Sequence, residues 1–315
     1  TMNPASNVDM YNTAVGFNSG YAITTGTGNT LIGGLAGDSI TTGTNNVAIG
    51  YLSLRNEDAY GHNVAVGHGA LMLLDAAADA FNVAIGHEAG KLVSTGIENT
   101  IVGGSAGDAL TTGSRNTAIG YGALSAEDAH GHNIAIGRNA LLVLNAGADG
   151  HNVAIGSSAG EALSTGVENT LIGYQAGVAL TTGDNNIVIG NDASASAVDV
   201  SNEITLGDAN ISAFRCADQS IAALSDGRDK TNVQDSSYGL EFINTIRPVE
   251  FTWDFRPENM AEAKQGKKRV GFIAQELQEA MPNSENEILD LVYNVNDERI
   301  EAKYGNLIPI LVKAV

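Results

Sequence analysis

The chain has 315 residues, 36 of them acidic and 16 basic, which gives a formal net charge of −20 at pH 7. A surface this acidic repels nucleic acids and anionic membranes, so a nucleic-acid-binding function is excluded. The single cysteine, Cys216, excludes an intrachain disulfide. No run approaches 18 consecutive apolar residues, so we expect no segment that spans a membrane.

After a leader at residues 1–11, a motif of the form Asn-x-(small or apolar)-(Val/Ile)-Gly recurs eleven times over residues 12–190. The copies are spaced by 17, 17, 17 and 19 residues, again by 17, 17, 17 and 19, and then twice by 17. They begin at Asn12, Asn29, Asn46, Asn63, Asn82, Asn99, Asn116, Asn133, Asn152, Asn169 and Asn186. A short fixed period predicts stacked coils rather than a globular enzyme core.

Each motif has the pattern of a short β-strand. The residue after the Asn is Thr, Val or Ile, and the residue two further on is Val or Ile, while the residue between them is mostly Ala. Since side chains of a strand alternate between its faces, each strand has one β-branched face and one mainly small face. The closing Gly fits a turn with positive φ, and we expect the Asn residues to form ladders along the stack.

The small face of the strands also bears on the oligomeric state. We expect a coil of about 17 residues with few aromatic residues to be too thin to enclose its own core. Three chains around one axis would bury the small face, so we predict a homotrimer with cyclic symmetry. The alternative is a monomeric β-solenoid with an internal core.

The segments between the strands carry all six histidines and all the acidic residues of the repeat array. The pairs Glu57-Asp58 and Glu127-Asp128 recur at a distance of 70 residues, the length of a four-unit super-repeat. A solvated acidic face is favoured over a Ca²⁺ site for them. The histidines are His62, His68, His87, His130, His132 and His151. A structural role is favoured over metal binding, and we expect no metal and no cofactor.

The composition changes after residue 190. Residues 1–200 contain four cations, and the remaining twelve follow residue 200. Residues 191–220 are interpreted as a linker and neck, which contains one weak echo of the repeat, Asn202 to Gly207. Cys216 is interpreted as a small apolar residue of this neck. Residues 221–315 are predicted to form a second, small α+β domain.

Three motifs follow one another in this second domain. They are Ser225-Asp226-Gly227-Arg228-Asp229-Lys230, Pro248-Val249-Glu250-Phe251-Thr252-Trp253 and Gly271-Phe272-Ile273-Ala274-Gln275-Glu276-Leu277. In this order they resemble the intramolecular chaperone, or peptidase S74, domain of phage tail fibres and tailspikes. The repeats resemble the head repeats of trimeric adhesins.

The chaperone resemblance implies a specific chemistry. Such domains trimerise, help the upstream β-structure to fold, and then cut themselves off. Carried over by position, the scissile bond is Leu224–Ser225, Ser225 is the nucleophile and Lys230 is its base. Asp226, Arg228 and Asp229 would orient the pair or form salt bridges in the trimer. The alternative is an ordinary Ser-Asp-Gly turn.

The fold expected is therefore mainly β: a trimeric stacked β-repeat fibre followed by the α+β chaperone domain. The favoured function is a phage or extracellular fibre, or adhesin, that recognises a cell-surface glycan or protein and has at most autoproteolytic activity. A tailspike depolymerase is the alternative, and its paired carboxylates would need a catalytic domain for which the repeats leave no room. Recognition is predicted on the longer connecting segments, residues 51–62, 68–81, 121–132 and 138–151, or else on the tip, residues 1–28.

Overall fold

The computed structural model of the protein describes residues 10–215, 225–254, 265–281, 286–296 and 299–315. The chain divides into two compact units, Thr1–Asp208 and Ala209–Val315. Leu224, Cys216 and the first nine residues of the leader lie outside the described residues. Within the described residues, no helix combines the length and the apolar character needed to cross a membrane.

The first unit is a β-solenoid in which each coil contributes one strand of three residues to a single 12-stranded sheet. The strands are β1 Thr13–Val15, β2 Thr30–Ile32, β3 Val47–Ile49, β4 Val64–Val66, β5 Val83–Ile85, β6 Thr100–Val102, β7 Thr117–Ile119, β8 Ile134–Ile136, β9 Val153–Ile155, β10 Thr170–Ile172, β11 Ile187–Ile189 and β12 Ile204–Leu206. Every strand pairs in parallel with the next one in the sequence. The echo of the repeat at residues 202–207 thus supplies the twelfth strand, which pairs with β11.

The register places equivalent residues of successive repeats side by side, for example Val47 beside Val64 and Val64 beside Val83. The glycine that ends each strand allows this stacking. Gly120 has a φ of +133°, and a Cβ on it would lie 2.5 Å from the carbonyl oxygen of Gly137 in the next coil. A side chain at this position would therefore force neighbouring coils apart.

The core of the solenoid lies inside the coil of a single chain. The central strand residues Ala48, Ala65 and Ala84 are fully buried there. Large side chains from the connecting segments, including Leu54 and Leu71, fill the remaining interior. The reason for expecting the repeats to trimerise was therefore wrong: the small face is covered by the chain's own connecting segments, as in a solenoid with an internal core.

The outer face of the sheet consists of the β-branched residues. The first and third residues of each strand, together called the outer-sheet face, are Thr, Val or Ile in β1 to β11 and Ile and Leu in β12. They are half-buried or exposed, as Ile85 at 41% and Ile155 at 37% show. None of them carries a charge, which sets this face apart in a chain of net charge −20.

A ladder of buried asparagines runs through the coils. The repeat asparagines from Asn29 to Asn186 are at most 1% exposed. The Oδ1 of each repeat asparagine accepts a hydrogen bond from the backbone N–H at the equivalent position of the next coil, over 2.7–3.2 Å. The ladder begins with the Asn29 N–H, which donates to Asn12, and ends with the Glu203 N–H, which donates to Asn186. Buried polar groups must be paired, so this ladder satisfies the backbone that the narrow coil encloses.

The two glutamates of the longer segments are also interior residues. Glu57 and Glu127 are fully buried, so the prediction of a solvated acidic face was wrong for them. The Glu57 carboxylate accepts backbone N–H groups from Tyr60 and Ala76, and Glu127 does the same for His130 and Ala146. Burial raises the pKa of the Glu57 carboxyl, because desolvation outweighs these two hydrogen bonds.

The second unit has short helices and two hairpin-like strand pairs. Its elements are α1 Leu240–Ile243, β13 Val249–Thr252, β14 Lys268–Gly271, α2 Ala274–Ala280, α3 Asn286–Leu289, β15 Val292–Asn296, β16 Arg299–Ala302 and α4 Leu307–Ala314. β13 pairs with β14 and β15 with β16, both antiparallel. The core residues are Phe242, Met281, Leu289, Leu291, Leu307 and Ile310. The prediction of a mainly β stacked fold followed by a small α+β region is thus confirmed.

We expect the Asn99→Ala substitution to destabilise the solenoid by roughly 2–6 kcal/mol, because it leaves two buried groups without their hydrogen-bond partner, at about 1–3 kcal/mol for each unsatisfied group. Asn99 accepts from Asn116 N–H and donates to the Gly113 carbonyl, each over 2.9 Å. Urea unfolding of the full chain measures the loss. The exposed Asn145 provides the control, since its replacement by Ala should change stability by less than about 0.5 kcal/mol. Equal effects of the two substitutions would contradict a structural ladder.

Candidate functional site

The Ser225–Lys230 segment begins with a capped turn. Residues Gly227–Asp229 form one turn of 3-10 helix, and the Asp226 side chain caps it by accepting the Arg228 backbone N–H over 2.9 Å. Lys230 then leaves the turn in an extended conformation. An aspartate before a short turn is a favourable N-cap, so the local sequence itself specifies this shape.

The turn brings the predicted nucleophile and base together. Lys230 Nζ lies 2.6 Å from Ser225 Oγ, to which it donates a hydrogen bond. A base within about 2.6–3.2 Å of a hydroxyl can take its proton, which is the arrangement that activates a serine. Both residues are exposed in the single chain. Leu224, whose carbonyl carbon would be attacked, lies outside the described residues.

The three neighbouring charged residues do not act as one group. Asp226 and Arg228 form an ion pair, in which Arg228 Nε lies 3.0 Å from both carboxylate oxygens of Asp226. Arg228 thereby lowers the pKa of the Asp226 carboxyl, and Asp226 raises the pKa of the guanidinium. Within the described part of the chain, no hydrogen bond or ion pair joins Asp229 to Ser225 or Lys230. Asp226 and Arg228 therefore stabilise the turn that holds Ser225 and Lys230.

The third motif contacts two residues, Arg247 and Tyr304, that sequence reasoning did not single out. Arg247, just before Pro248, forms an ion pair with Glu276 of α2, and the hydroxyl of Tyr304 accepts the Phe272 backbone N–H over 3.1 Å. A Cβ on Gly271 would lie 2.6 Å from that hydroxyl oxygen. The distances in sequence are 29 and 32 residues, so no local pattern indicates these contacts.

Trp253, the last residue of the second motif, lies at the periphery of this unit. It is half-buried and makes an edge-to-face contact with Phe251, with 5.1 Å between the ring centroids. It does not belong to the set of buried residues that forms the core of this unit. The segment Gly271–Leu277 runs from the end of β14 into α2, as a strand followed by a helix.

Residues 225–284 match the protein family described as the chaperone of endosialidase, peptidase S74. The match begins at Ser225 and includes all three motifs. No curated protein and no solved structure matches the chain. The chain thus carries a chaperone-of-endosialidase domain behind a β-solenoid of stacked repeats, a combination consistent with a phage tail fibre or tailspike-type protein.

Proposed function

We propose that the protein is a trimeric fibre or adhesin that recognises a cell-surface glycan or protein, and that its C-terminal domain drives trimer assembly and then cleaves the Leu224–Ser225 bond. The observation that carries the proposal is the 2.6 Å contact between Ser225 Oγ and Lys230 Nζ at the first residues of the chaperone match. Its location is the virion tail or an extracellular fibre, and its chemistry is limited to one self-cleavage per chain.

The cleavage follows from the position of Ser225 beside its own peptide bond. Neutral Lys230 takes the Oγ proton, and Oγ attacks the Leu224 carbonyl carbon. The C–N bond breaks as the amine of Ser225 leaves with the proton returned by Lys230, so an ester replaces the peptide bond. Water then hydrolyses the ester, which gives a Leu224 carboxylate and a restored serine hydroxyl. No oxidant or cofactor is required.

Assembly provides a reason for the timing of this reaction. A lysine acts as a base only in its neutral form, which removal from water favours. In a single chain both Ser225 and Lys230 are exposed to solvent. Contact with a second chain would exclude water from the pair, so the reaction would start only after the chains have associated.

We expect the full chain to yield, after assembly, a C-terminal fragment of 91 residues, 225–315. The Ser225→Ala and Lys230→Arg variants should stay intact, because the first lacks the nucleophile and arginine does not deprotonate in proteins. Denaturing gels measure cleavage, and native mass spectrometry shows whether the variants still trimerise.

The control for this experiment is Lys267→Arg, which alters an exposed lysine of the same unit and should leave cleavage unchanged. A wild-type chain that remains intact as an assembled trimer would refute the proteolytic role and leave the assembly role standing.

The outer-sheet face is the surface that we assign to contacts between copies of the fibre. It is uncharged, so copies of a chain with a net charge of −20 can approach there without bringing like charges together. Its twelve strands of three residues span about 50 Å by 10 Å, or about 500 Å². This is less than the roughly 800 Å² per partner of a standard stable interface. A separate trimerising domain would compensate by raising the local concentration of the other chains.

We expect the double variant Ile85→Asp, Ile155→Asp to lose the trimer of the repeat unit, because it buries repelling carboxylates between the copies. Analytical ultracentrifugation after self-cleavage has released residues 225–315 should show dissociation at concentrations where the cleaved wild type is trimeric. Leu92→Asp changes an apolar residue of similar exposure, 39%, in a connecting segment and should keep the trimer. Trimers that are equally stable in both variants would show that this face is not the interface.

Recognition is assigned to the longer connecting segments, which present aromatic side chains on a rigid scaffold. Tyr51 is 51% exposed and Tyr121 is 65% exposed, and they occupy equivalent positions of two super-repeats. Aromatic side chains contribute large contact areas to binding surfaces. Other parts of the same segments, such as Leu54 and Leu71, are fully buried, so only their exposed residues are available to a ligand.

Binding of the full chain to an array of bacterial surface polysaccharides tests this assignment. We expect the variant Tyr51→Ala, Tyr121→Ala to lose at least about 10-fold in affinity, since large hot-spot residues are each worth about 2 kcal/mol. Tyr174→Ala is the matched control. Tyr174 follows a strand glycine in the same way and is 51% exposed, but it lies outside the four segments. A loss of binding with Tyr174→Ala alone would place the recognition site elsewhere on the solenoid.

A further inference from the structure

We propose that His68, His87 and Glu88 form a binding site for a borderline divalent transition metal such as Zn²⁺. The site goes beyond the fibre and chaperone functions, and it departs from the prediction, made from the sequence, that no metal is bound. The three side chains lie just after β4 and β5, where two neighbouring coils stack.

The stacking places the two histidines at equivalent positions. His68 follows Gly67 and His87 follows Gly86, and the preceding strand residues Val66 and Ile85 are paired in the sheet. The two imidazole rings are nearly parallel, at 8°, and their centroids are 5.0 Å apart. The Glu88 backbone N–H donates to the His68 carbonyl over 2.8 Å. The backbone of the solenoid therefore fixes all three residues, and one ligand atom from each lies within 4.8 Å of the others.

Two imidazoles and one carboxylate are ligands typical of zinc, which binds histidine nitrogens at about 2.0–2.1 Å and leaves further positions for water. In the structure the rings face each other, so their nitrogens do not point at one common ion. Both rings are exposed, and rotation about the Cβ–Cγ bond of histidine meets a broad torsional minimum. Binding therefore requires one ring to turn and the stack to open.

Lys91 prepares the third ligand and also competes with the metal. Its Nζ lies 2.9 Å from Glu88 Oε1. This contact holds the carboxylate in place beside the two histidines. The Lys91 ammonium group is bound to one of the two Glu88 carboxylate oxygens, where it competes with a metal ion. Replacing Lys91 by an uncharged residue should therefore strengthen metal binding.

The second super-repeat shows that the solenoid itself does not need these side chains. Seventy residues later the equivalent positions hold Arg138, Ser157 and Ser158. The backbone there is the same: the Ser158 N–H donates to the Arg138 carbonyl over 2.8 Å, and φ is 58° at Ser158 against 57° at Glu88. The same frame thus carries a full set of metal ligands in one super-repeat and none in the other.

The first test is calorimetric titration of the chelator-treated full chain with Zn²⁺. We expect a site with a stoichiometry of one per chain that His68→Ala, His87→Ala and Glu88→Gln each weaken by about 10–100-fold or more, since even an outer-sphere partner is worth that much. The Lys91→Met variant should bind more tightly.

Two control variants test the other places on the solenoid where histidines lie close to possible metal ligands or to one another. His151→Ala removes a ring that stacks on His132 with the same centroid distance of 5.0 Å, and Asp128→Asn alters the second group of possible ligands, Glu127, Asp128 and His130. Both should leave the Zn²⁺ affinity unchanged. Zn²⁺ binding that depends on either of them, and not on His68 and His87, would overturn the assignment.

A gain-of-site variant keeps the proposal testable even if a loss-of-ligand variant fails to fold. The substitutions Arg138→His, Ser157→His and Ser158→Glu install the same three ligands on the second super-repeat. The stoichiometry should then rise from one to two Zn²⁺ per chain. An unchanged stoichiometry in this variant, or the absence of binding to the wild type at micromolar Zn²⁺, would refute the proposal.

Discussion

The architecture of the first unit depends on hydrogen bonds between equivalent positions of successive coils. In each coil the Asn side chain accepts the backbone N–H of the next repeat, and the three-residue strand pairs with its neighbour in the same register. The repeat asparagines from Asn29 to Asn186 are at most 1% exposed, so the buried polar backbone beside them must be satisfied by the chain itself. The Asn ladder does this once in each coil, and the strand glycine lets the coils approach closely enough for the bonds to form.

Because these contacts repeat at every coil, they fix the backbone and leave the outward side chains free to vary. The two coils with a spacing of 19 residues show this freedom: the longer segments that end at Asn82 and Asn152 still return the asparagine to the ladder, with hydrogen bonds of 3.1 and 3.2 Å. The segments between the strands can thus accept two additional residues without a change of register. A stack of this kind therefore separates the residues that hold the fold from those that are available for function.

The sequence predicted the repeat architecture well, because a period of 17 or 19 residues and the alternation within each strand are both local patterns. The sequence was less informative about which face of each strand lies inside the solenoid. Alternation shows that Ala48 and Val47 lie on opposite faces, but not which face is inside. The interior is decided by Leu54 and similar residues of the connecting segments, which return to cover the small face. Glu57 was misread for a related reason, since its carboxylate turns inward to accept N–H groups that the coil encloses.

The Ser225–Lys230 pair was predictable, because five residues across a capped turn and the neighbouring motifs together define it. The contacts Arg247–Glu276 and Tyr304–Phe272 were not predictable, since they join distant segments whose pairing is decided by the packing of this unit.

The exposure of Ser225 and Lys230 to solvent bears on when the proposed cleavage can occur. Under the proposed function, a pair that stays solvated in a single chain would remain inactive during folding, and it would gain reactivity only when other chains exclude water from it. Separate chains must find their register before a fibre can form, which is slow. Linking the cleavage to burial by partner chains would therefore release the chaperone only from fibres that have already assembled, and slow unfolding would then retain the proposed trimer.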